Sequence, residues 1–407
     1  MGAGTVKNEP PRVLYGSTLM SAETFSALFS HATVRPSLAA QKYHGLMTRG
    51  FAQNGISITA LSAPPVSRQT SRRRFVRVRD EKKDGVSFHY LPVVAVPGLK
   101  HVLVAAGAFW YTLTRLKRSD FAVCDGLNIA LSAGVGAACR LRRRPCAAIV
   151  TDVPDILAGG RTRTSKANTR LLARFDGYIL LTEAMNPLVN PRGKPFLVAE
   201  GQVDATMSDT ANELAGKHPE KVCLYAGMLH EKYGMVRLAE AFRMVKDESA
   251  RLVLYGDGDA ADRIRKLAGT DGRIEYRGVA DNRTVVQEEL KATLLINPRP
   301  SNEDFTAYSF PSKNLEYMVS GTPVLTTKLP GMPREYDRYA YLFNDESTEG
   351  MAKTLNAVLG LPREELHELG GRAKAFALKN KSNTAQARRV MDFLKMLERN
   401  GTLRKRK

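Results

Sequence analysis

Lys313 and Glu316 are the two residues whose types and spacing could together bind a nucleotide. They lie at the start of a predicted helix that begins near Ser312, after a proline-containing loop that leaves the predicted strand 293–296. In open α/β sheets, ligands bind at the carboxyl ends of strands, and a helix N-terminus placed there presents backbone N–H groups to a phosphate. Lys313 would add a full positive charge, and Glu316, one turn further along the same face, could accept hydrogen bonds from ribose hydroxyls. The spacing therefore indicates a nucleotide site, with a solvated Lys–Glu pair on a structural helix as the alternative.

The segment around this pair resembles the donor-binding signature of a known family, the retaining GT-B glycosyltransferases of the large glycogen-synthase-like (group 1) family. The matching runs are Phe-Pro-Ser-Lys at 310–313, Leu-Glu-Tyr-Met at 315–318 and Ser-Gly-Thr-Pro-Val at 320–324, in the form found in capsule and exopolysaccharide enzymes. Weaker matches extend from about Lys221 to Phe393. The resemblance implies an α/β protein of GT-B architecture, with two Rossmann-like domains that face a central cleft. It also implies transfer of a sugar from a nucleotide-diphosphate donor with retention at the anomeric carbon.

One position departs from the pattern of that family. The family carries two glutamates with seven residues between them; Glu316 matches the second, the expected ribose ligand, and Tyr308 stands where the first would fall. In the family, the first glutamate holds the donor sugar or helps to stabilise the charge that develops during transfer. Glu303 and Asp304 lie five and four residues upstream of Tyr308 and could substitute for that glutamate. The candidate catalytic positions in this loop are therefore Glu303 and Tyr308.

A glycine turn after the first strand of the second half is another part of the expected donor site. Gly227 would let a diphosphate approach the backbone closely, because glycine has no side chain. The family usually has an arginine directly after this glycine and a lysine five residues later; these places are Met228 and Tyr233 here, with Lys232 beside the second. Lys232 is predicted either to reach the phosphates or to be an exposed turn lysine. In the second case, Arg299 must help to supply the positive charge.

Two further loops bear on the nucleobase and on metal binding. Gly278 and Val279 come shortly after the predicted strand 273–276, where members of the family hold the base largely by backbone contacts, so both uridine and guanosine remain open. Asp257 and Asp259 form an Asp-x-Asp pattern, but Asp-Gly after a strand is first a turn signal. The resemblance implies no required metal and no cofactor besides the nucleotide-sugar co-substrate.

The elements that must position these residues are strands and helices in alternation. Predicted strands of the first half cover residues 13–17, 56–61, 86–93, 121–124, 146–151, 177–181 and 196–199, and those of the second half cover 222–226, 251–255, 273–276, 293–296, 323–326 and 339–342. Helical patterns fall between most of them, which favours parallel sheets covered by helices. We predict an acceptor-binding domain at 1–205, a nucleotide-sugar-binding domain at 206–382, and a segment 383–407 whose helix packs back on the first domain before a basic tail.

Polar residues at the strand ends of the first half are the candidates for the acceptor side. Asp152 follows the predicted strand 146–151 and is a candidate catalytic, sugar or acceptor ligand, with capping of a turn as an equal alternative. Glu200 follows the last predicted strand of this half and is expected to point towards the cleft. Gly16 and Ser17 are predicted to form a glycine turn near the acceptor.

The positive charge is uneven along the chain, since residues 1–200 carry +16 of the formal net charge of +20. Eight basic residues lie between Arg68 and Lys83, against two acidic ones. An anionic partner is therefore expected for this half, and a membrane surface, a phosphorylated acceptor and nucleic acid all qualify. We predict an anionic membrane surface and no nucleic acid, because no nucleic-acid-binding module is recognisable and Phe75 is the only aromatic residue of the basic segment.

A predicted helix at 98–118 carries an apolar stripe next to this basic segment. The stripe consists of Leu99, Val102, Leu103, Ala106, Phe109, Trp110 and Leu113. It would suit a membrane surface, but apolar stripes more often face a core, so we predict that it packs on the helix's own sheet. No apolar run reaches the roughly 18 residues of a spanning helix, and residues 1–12 have no signal-peptide core. The expected location is cytoplasmic, with peripheral attachment to the inner face of the membrane.

The amino-acid composition narrows the classes of protein that remain possible. A hydrophobic content of 43% and a charged content of 25% are ordinary globular values, which excludes a disordered chain. The four cysteines are scattered, without the spacing of a metal site or of a disulfide framework.

We predict that the protein is a retaining glycosyltransferase of envelope or exopolysaccharide biosynthesis. It would move a sugar from a nucleotide-diphosphate donor, with a UDP-sugar favoured, to a saccharide or lipid-linked acceptor. The alternatives are a non-catalytic or accessory nucleotide-binding GT-B protein and, less favoured, a nucleic-acid-binding protein.

Overall fold

The chain forms two compact units. A computed structural model describes residues 12–32, 34–71 and 73–404. Within them, the first unit runs to Gln202 and resumes at Asn383, and the second unit is Val203–Ser382. The predicted domain boundary at 205/206 lies three residues from this division. Arg72 of the basic segment and the tail from residue 405 lie outside the described residues.

The first unit is built on a sheet whose strands run almost entirely parallel. Its strands are β1 Arg12–Ser17, β2 Ser57–Ser62, β3 Phe75–Val76, β4 Glu81–Lys83, β5 Val86–Tyr90, β6 Val93–Val94, β7 Phe121–Asp125, β8 Cys146–Val150, β9 Gly177–Leu180 and β10 Phe196–Val198. Its helices up to the end of this unit's first segment are α1 Ala22–Phe29, α2 Leu38–Gln53, α3 Leu99–Arg115, α4 Ile129–Leu141, α5 Pro154–Leu157, α6 Arg163–Leu172 and α7 Asn186–Val189. The main sheet has the order β10-β9-β8-β7-β1-β2-β5-β4, in which β4 pairs antiparallel, and β3 pairs with β6 apart from it.

The predicted strand 86–93 is two strands in the structure. β5 ends at Tyr90 in the main sheet, and β6 begins at Val93 in the separate pair with β3. Pro92 lies between them and has no N–H to donate to a ladder, so the chain leaves the main sheet there. The central strands bear out the expectation of buried parallel strands, since every residue of β7 and β8 is buried.

Helix α3 does not bury the apolar stripe as the sequence predicts. Its buried residues are Val104, Ala108 and Thr112. By contrast, Val102 is 64% exposed and Trp110 is 62% exposed. The helix packs closely on α4, where Gly134 leaves room for its backbone; a Cβ at Gly134 would overlap the Ala105 carbonyl oxygen. Packing through this small-residue face turns the larger apolar side chains outward, and the prediction that they face the sheet is wrong.

The second unit is a fully parallel sheet with helices along it. Its strands are β11 Val222–Ala226, β12 Arg251–Tyr255, β13 Ile274–Gly278, β14 Leu294–Asn297, β15 Val324–Thr327 and β16 Tyr341–Phe343. Its helices are α8 Met235–Phe242, α9 Ala261–Ala268, α10 Asn282–Lys291, α11 Ser312–Ser320, α12 Thr348–Leu359 and α13 Arg363–Lys381. The strand order is β13-β12-β11-β14-β15-β16. The order reverses between β11 and β14, and ligands of such sheets bind where the strand order reverses, at the carboxyl ends.

The final helix, α14 Asn383–Arg404, belongs to the first unit and packs on α2. Gly50 of α2 allows a close crossing, since a Cβ there would overlap the Asn383 carbonyl oxygen. The apolar face predicted for this helix is buried and consists of Ala387, Val390, Met391, Leu394 and Leu397. The Gln386 amide donates to the Gly201 carbonyl at 2.7 Å, so a polar contact also ties the helix to this unit.

No helix of the described ranges is long and apolar enough to cross a membrane. All four cysteines are buried and unbridged.

Candidate functional site

Helix α11 is held firmly at the point where the strand order of the second unit reverses. Asn314 is fully buried; its side-chain oxygen accepts from Asn297 Nδ2 at 2.7 Å, and its Nδ2 donates to Thr326 Oγ1 at 3.1 Å. The Tyr317 hydroxyl accepts from the backbone N–H of Ala226 at 3.0 Å. These bonds join α11 to β14, β15 and β11. The start of the helix is thereby fixed at the carboxyl ends of β11 and β14, where the sequence predicts a phosphate site.

Lys313, in the first turn of α11, lies across the glycine turn that follows β11. A Cβ placed on Gly227 would be 2.7 Å from Lys313 Cε and 2.8 Å from its Nζ. The ammonium also lies over the rings of Tyr225 and Tyr317, 5.7 and 5.8 Å from their centroids. Two residues that the sequence predicts as phosphate ligands are thus adjacent in space. The missing side chain at Gly227 is what gives Lys313 this position.

The turns after β11, β12 and β13 are stacked backbone on backbone. The Gly227 N–H donates to the Tyr255 carbonyl at 2.9 Å, and the Gly256 N–H donates to the Gly278 carbonyl at 2.7 Å. Gly256 has a φ of +129°, and a Cβ there would overlap the Gly227 carbonyl oxygen. Such a conformation and such an approach are open to glycine alone. The absence of a side chain at Gly256 therefore lets the Gly227 turn lie directly against it.

A cavity of about 140 Å³ lies in front of these elements. Tyr225 and Asn297 line it from the ends of β11 and β14, Tyr233 and Arg299 line it from the adjoining loops, and residues 309–313 close it. Two of the lining residues, Arg299 and Lys313, carry positive charge. The cavity is therefore suited in its charge and position to an anionic group.

Arg299 is a half-buried cation whose partners are mainly aromatic. Its guanidinium carbon lies 4.9 Å from the ring centroid of Tyr233 and 5.6 Å from that of Phe305, and its Nη1 donates to Ser309 Oγ at 3.2 Å. Its Nε is buried without a hydrogen-bond partner. Burial lowers the pKa of Arg299 from its usual value. A guanidinium with an unused N–H would gain a charge-assisted hydrogen bond from a phosphate in the cavity.

Lys232 and Glu316 are not among the described residues that line the cavity. Lys232 is exposed, with its ammonium 5.4 Å from the Tyr233 centroid and 6.0 Å from that of Phe305. Glu316 is half-buried, one turn along α11 from Lys313. At the place where the resembling family has a lysine, this chain puts the Tyr233 ring against the cavity.

The loop between β14 and α11 holds the residues at which the chain departs from the family. Glu303 precedes a short 3₁₀ turn, Asp304–Ala307, and its carbonyl accepts from the Thr306 N–H at 2.9 Å. The Tyr308 N–H donates to the Phe305 carbonyl at 3.1 Å. Glu303 and Tyr308 thus lie at the two ends of this turn, partly exposed, and neither is among the described residues that line the cavity.

The predicted base loop and the Asp-x-Asp loop lie at the ends of β13 and β12. Gly278 has a φ of +66° and Val279 is 77% exposed. Asp257 accepts from the Gly258 N–H at 2.8 Å, and Asp259 accepts from the Glu231 N–H at 2.8 Å. Asp257 thus holds the backbone of its own turn, and Asp259 holds that of the loop after β11. Over the described ranges, no three His, Cys, Asp or Glu side chains are grouped to hold a metal ion.

The first unit carries the candidate acceptor residues. Asp152 follows β8 and reaches solvent; surrounding protein raises the pKa of its carboxyl by desolvation, while Thr151 Oγ1 donates to it at 3.1 Å. Glu200 follows β10 and is almost fully buried, 4.0 Å from the Arg389 guanidinium of α14. Asp152 is therefore the accessible carboxylate of the two.

Gly16 and Ser17 do not form the turn that the sequence predicts, because both lie inside β1. A Cβ at Gly16 would be 2.6 Å from Leu131 Cδ2 of α4, so the glycine serves close packing of strand and helix. Ser17 is fully buried, and its Oγ accepts from the Leu19 N–H at 3.1 Å. The prediction of a glycine turn at these two residues is therefore wrong, and their place on the acceptor side stays a prediction.

Sequence reasoning missed four lining residues: Tyr225, Tyr233, Asn297 and Ser309. Asn297 could have been found, since it is a polar residue at the carboxyl end of a predicted buried strand next to the switch point. The two tyrosines carried no such signal, because aromatic residues in and after strands usually belong to the core.

Comparison with known proteins agrees with this architecture. Residues 220–360 match the model of a family described as glycosyl transferases group 1. A comparison with curated protein sequences finds no match.

Among solved structures, the whole chain is similar to GT-B proteins. HepE of Anabaena, in complex with UDP, has a TM-score of 0.63 at 14% identity, over 95% of this chain and 100% of that chain. Sucrose-phosphate synthase from Thermosynechococcus elongatus has a TM-score of 0.61 at 13% identity, over 96% and 99%. A glycosyltransferase from Rickettsia africae has a TM-score of 0.64 at 12% identity, over 96% and 99%. These likenesses confirm the predicted fold class, an α/β protein of two Rossmann-like domains.

Proposed function

We propose that this glycosyltransferase moves a sugar from a nucleotide-diphosphate donor to a saccharide or lipid-linked acceptor, with retention at the anomeric carbon. The observation that carries the proposal is the position of Lys313, in the first turn of α11, directly over the Gly227 turn and beside the cavity. A cation, a helix N-terminus and a glycine turn in contact form a site for a diphosphate.

The diphosphate leaves with the bond to the sugar's anomeric carbon broken, so negative charge develops on its terminal oxygen. Lys313 and Arg299 would stabilise that charge inside a partly enclosed cavity, where a fixed cation acts more strongly than in water. Removal of one such group typically costs a factor of about 10²–10³ in rate. The same phosphate would take the proton of the incoming hydroxyl, and no metal is required because two protein cations are already in place.

The sugar and acceptor ends of the reaction involve residues outside the cavity lining. In our proposal, Glu303 or Tyr308 replaces the family glutamate near the donor sugar, Glu316 accepts from the ribose hydroxyls, and Gly278 and Val279 border the base. Asp152 is the candidate acceptor ligand, since its carboxyl is accessible and a carboxylate accepts hydrogen bonds from hydroxyls.

A uridine donor is favoured by the ligands of similar structures. HepE structures contain UDP, and UDP-glucose. A structure of TarM from S. aureus, 15% identical, contains UDP and a GlcNAc-glycerol. For this chain we propose a UDP-sugar donor and an acceptor of envelope or exopolysaccharide assembly, with the enzyme peripheral to the inner face of the membrane and the segment from Arg68 to Lys83 facing anionic lipid.

The second candidate is an accessory nucleotide-binding protein without transfer activity, which Met228 and Tyr308 favour because both depart from the family's pattern. The test is release of free nucleoside diphosphate from a panel of UDP- and GDP-sugars, with and without saccharide acceptors. Release of UDP or GDP that requires a saccharide acceptor and is lost in Lys313→Ala supports transfer. Nucleotide binding with no release from any donor would support the accessory role instead.

A further inference from the structure

Helix α3 exposes a continuous apolar face on the first unit. Leu99, Val102, Leu103 and Trp110 are 47%, 64%, 41% and 62% exposed, respectively. Their spacing places all four on one side of an α-helix. Contiguous exposed apolar surface of this kind marks an interaction site.

The exposure follows from how the helix is held. Its opposite side, which includes Val104 and Ala108, is buried against α4, where Gly134 allows near contact of the two backbones. Lys100 is engaged at the start of α3, where its Nζ donates to the Val66 carbonyl at 2.6 Å. The helix is therefore a fixed element that cannot roll its apolar face inward without losing this packing.

The surroundings of this face are positively charged. The sequence has no Asp or Glu between residues 85 and 119, and Arg115 and Arg118 are exposed at the end of α3. The helix also contacts β6, which pairs with β3. On β3, Phe75 is 58% exposed, with Arg74 before it and Arg77 shortly after, both exposed.

We propose that the exposed face of α3 seats in the interfacial layer of an anionic bilayer, with Trp110 at the level of the lipid carbonyls and the neighbouring arginines on the headgroup phosphates. An apolar stripe with one tryptophan, bordered by basic residues, has the chemistry of a helix that lies in the membrane surface. A second copy of the chain is the less suitable occupant, because a symmetric contact would bring two surfaces of the same positive charge together. The inference rests on the membrane attachment in the proposed function and does not depend on the proposed reaction.

Trp110 is the only tryptophan of the chain, so it reports on this face without modification of the protein. With vesicles of phosphatidylcholine and phosphatidylglycerol, its fluorescence emission is expected to shift to shorter wavelength and to be quenched by brominated acyl chains. Vesicles of phosphatidylcholine alone are expected to produce a much smaller shift. An unchanged emission with anionic vesicles overturns the proposal. So does a blue shift that appears without lipid and grows with protein concentration, which would assign the face to a second copy.

Variants then separate the apolar face from the charge. Val102→Ser with Leu103→Ser keeps Trp110 and removes exposed apolar area, and vesicle flotation is expected to show at least about tenfold weaker partitioning. Arg74→Gln with Arg77→Gln is expected to weaken partitioning by a similar factor, and only on anionic vesicles.

The matched control is Leu188→Ser with Met244→Ser, which changes two exposed apolar residues, 43% and 48% accessible, on other elements. It should float like the wild type. Equal flotation of the α3 variant and the wild type would refute the role of this face. Nucleotide affinity, measured on the same preparations, is expected to be unchanged in all variants, so a failed membrane test leaves the donor site untouched.

Discussion

At the scale of single residues, Arg299 and Lys232 form a natural pair for comparison. Both cations lie over the rings of Tyr233 and Phe305, but Arg299 is half-buried against the cavity and Lys232 is exposed outside its lining. The two side chains differ mainly in how closely a phosphate bound in the cavity could approach them. If the cavity is the diphosphate site, only the first of the two should contribute strongly to binding.

We predict that Arg299→Gln weakens UDP binding by about 10- to 100-fold, since a hydrogen bond to a charged group contributes about 1.5–3 kcal/mol. Lys232→Gln should change the affinity by less than about threefold, as expected of an exposed charge. Isothermal titration of both variants measures this difference. Equal losses in the two variants would mean that the diphosphate lies further out, over the aromatic pair.

At the scale of elements, the stacked turns after β11, β12 and β13 decide whether the site exists. Gly256 is the residue that no other can replace, because its φ is +129° and a Cβ would overlap the Gly227 carbonyl oxygen. Gly272, in the turn before β13, is a matched control, since a Cβ added there would meet no atom within 4 Å.

We predict that Gly256→Ala lowers the free energy of unfolding by about 3 kcal/mol, from backbone strain together with the overlap. Gly272→Ala should leave it within about 0.5 kcal/mol of the wild type. Thermal and urea denaturation followed by circular dichroism measure both. A Gly256→Ala protein with wild-type stability would contradict the tight stacking of these turns.

A partly buried lysine in the second unit gives a prediction on how stability depends on pH. Lys217 Nζ donates to the Leu290 carbonyl and to Thr322 Oγ1, each at 2.8 Å, and burial lowers its pKa from 10.5 to about 7. Between these values the unfolded chain binds a proton that the folded chain lacks. The free energy of unfolding therefore rises with pH from about 7 to 10.5, and this gain in stability is lost as the pH falls back towards 7.

Stability of the wild type relative to Lys217→Met should accordingly increase from about pH 7 to about pH 9, by at most about 1.4 kcal/mol per pH unit. His367 does not interfere, because burial and the nearby Lys217 keep its pKa below the usual 6.5. Urea denaturation of the two proteins at several pH values measures the difference. Parallel stability curves would show that Lys217 stays protonated when folded.

At the scale of the whole molecule, alternation of strands and helices was enough to predict two Rossmann-like units. This prediction succeeded because buried parallel strands such as β8, Cys146–Val150, are short apolar runs with turn-forming residues at both ends. The same reasoning failed for α3, since periodicity shows that a helix has an apolar face but not which neighbour covers it. Only the small residues at its contact with α4 reveal that another face is buried.

The candidate site was predicted in the same uneven way. Lys313 and Gly227 could be found because a helix start and a strand-end glycine have local sequence signals. In the sequence, Gly16 looks like a glycine that ends a strand and forms a turn. In the structure, a glycine is needed there because a side chain would collide with Leu131, which is far away in the sequence. Tertiary contacts of that kind have no local pattern, so Tyr225 and Tyr233 also went unrecognised.

The central claim, that the Lys313–Gly227 contact is a diphosphate site, is tested most directly by isothermal titration of UDP and GDP into the wild type and into Lys313→Ala. We expect the wild type to bind at least one nucleotide and Lys313→Ala to bind it at least about tenfold more weakly, with Lys232→Gln as the unaffected control. Equal affinity in wild type and Lys313→Ala, or no binding of either nucleotide by the wild type, would contradict it.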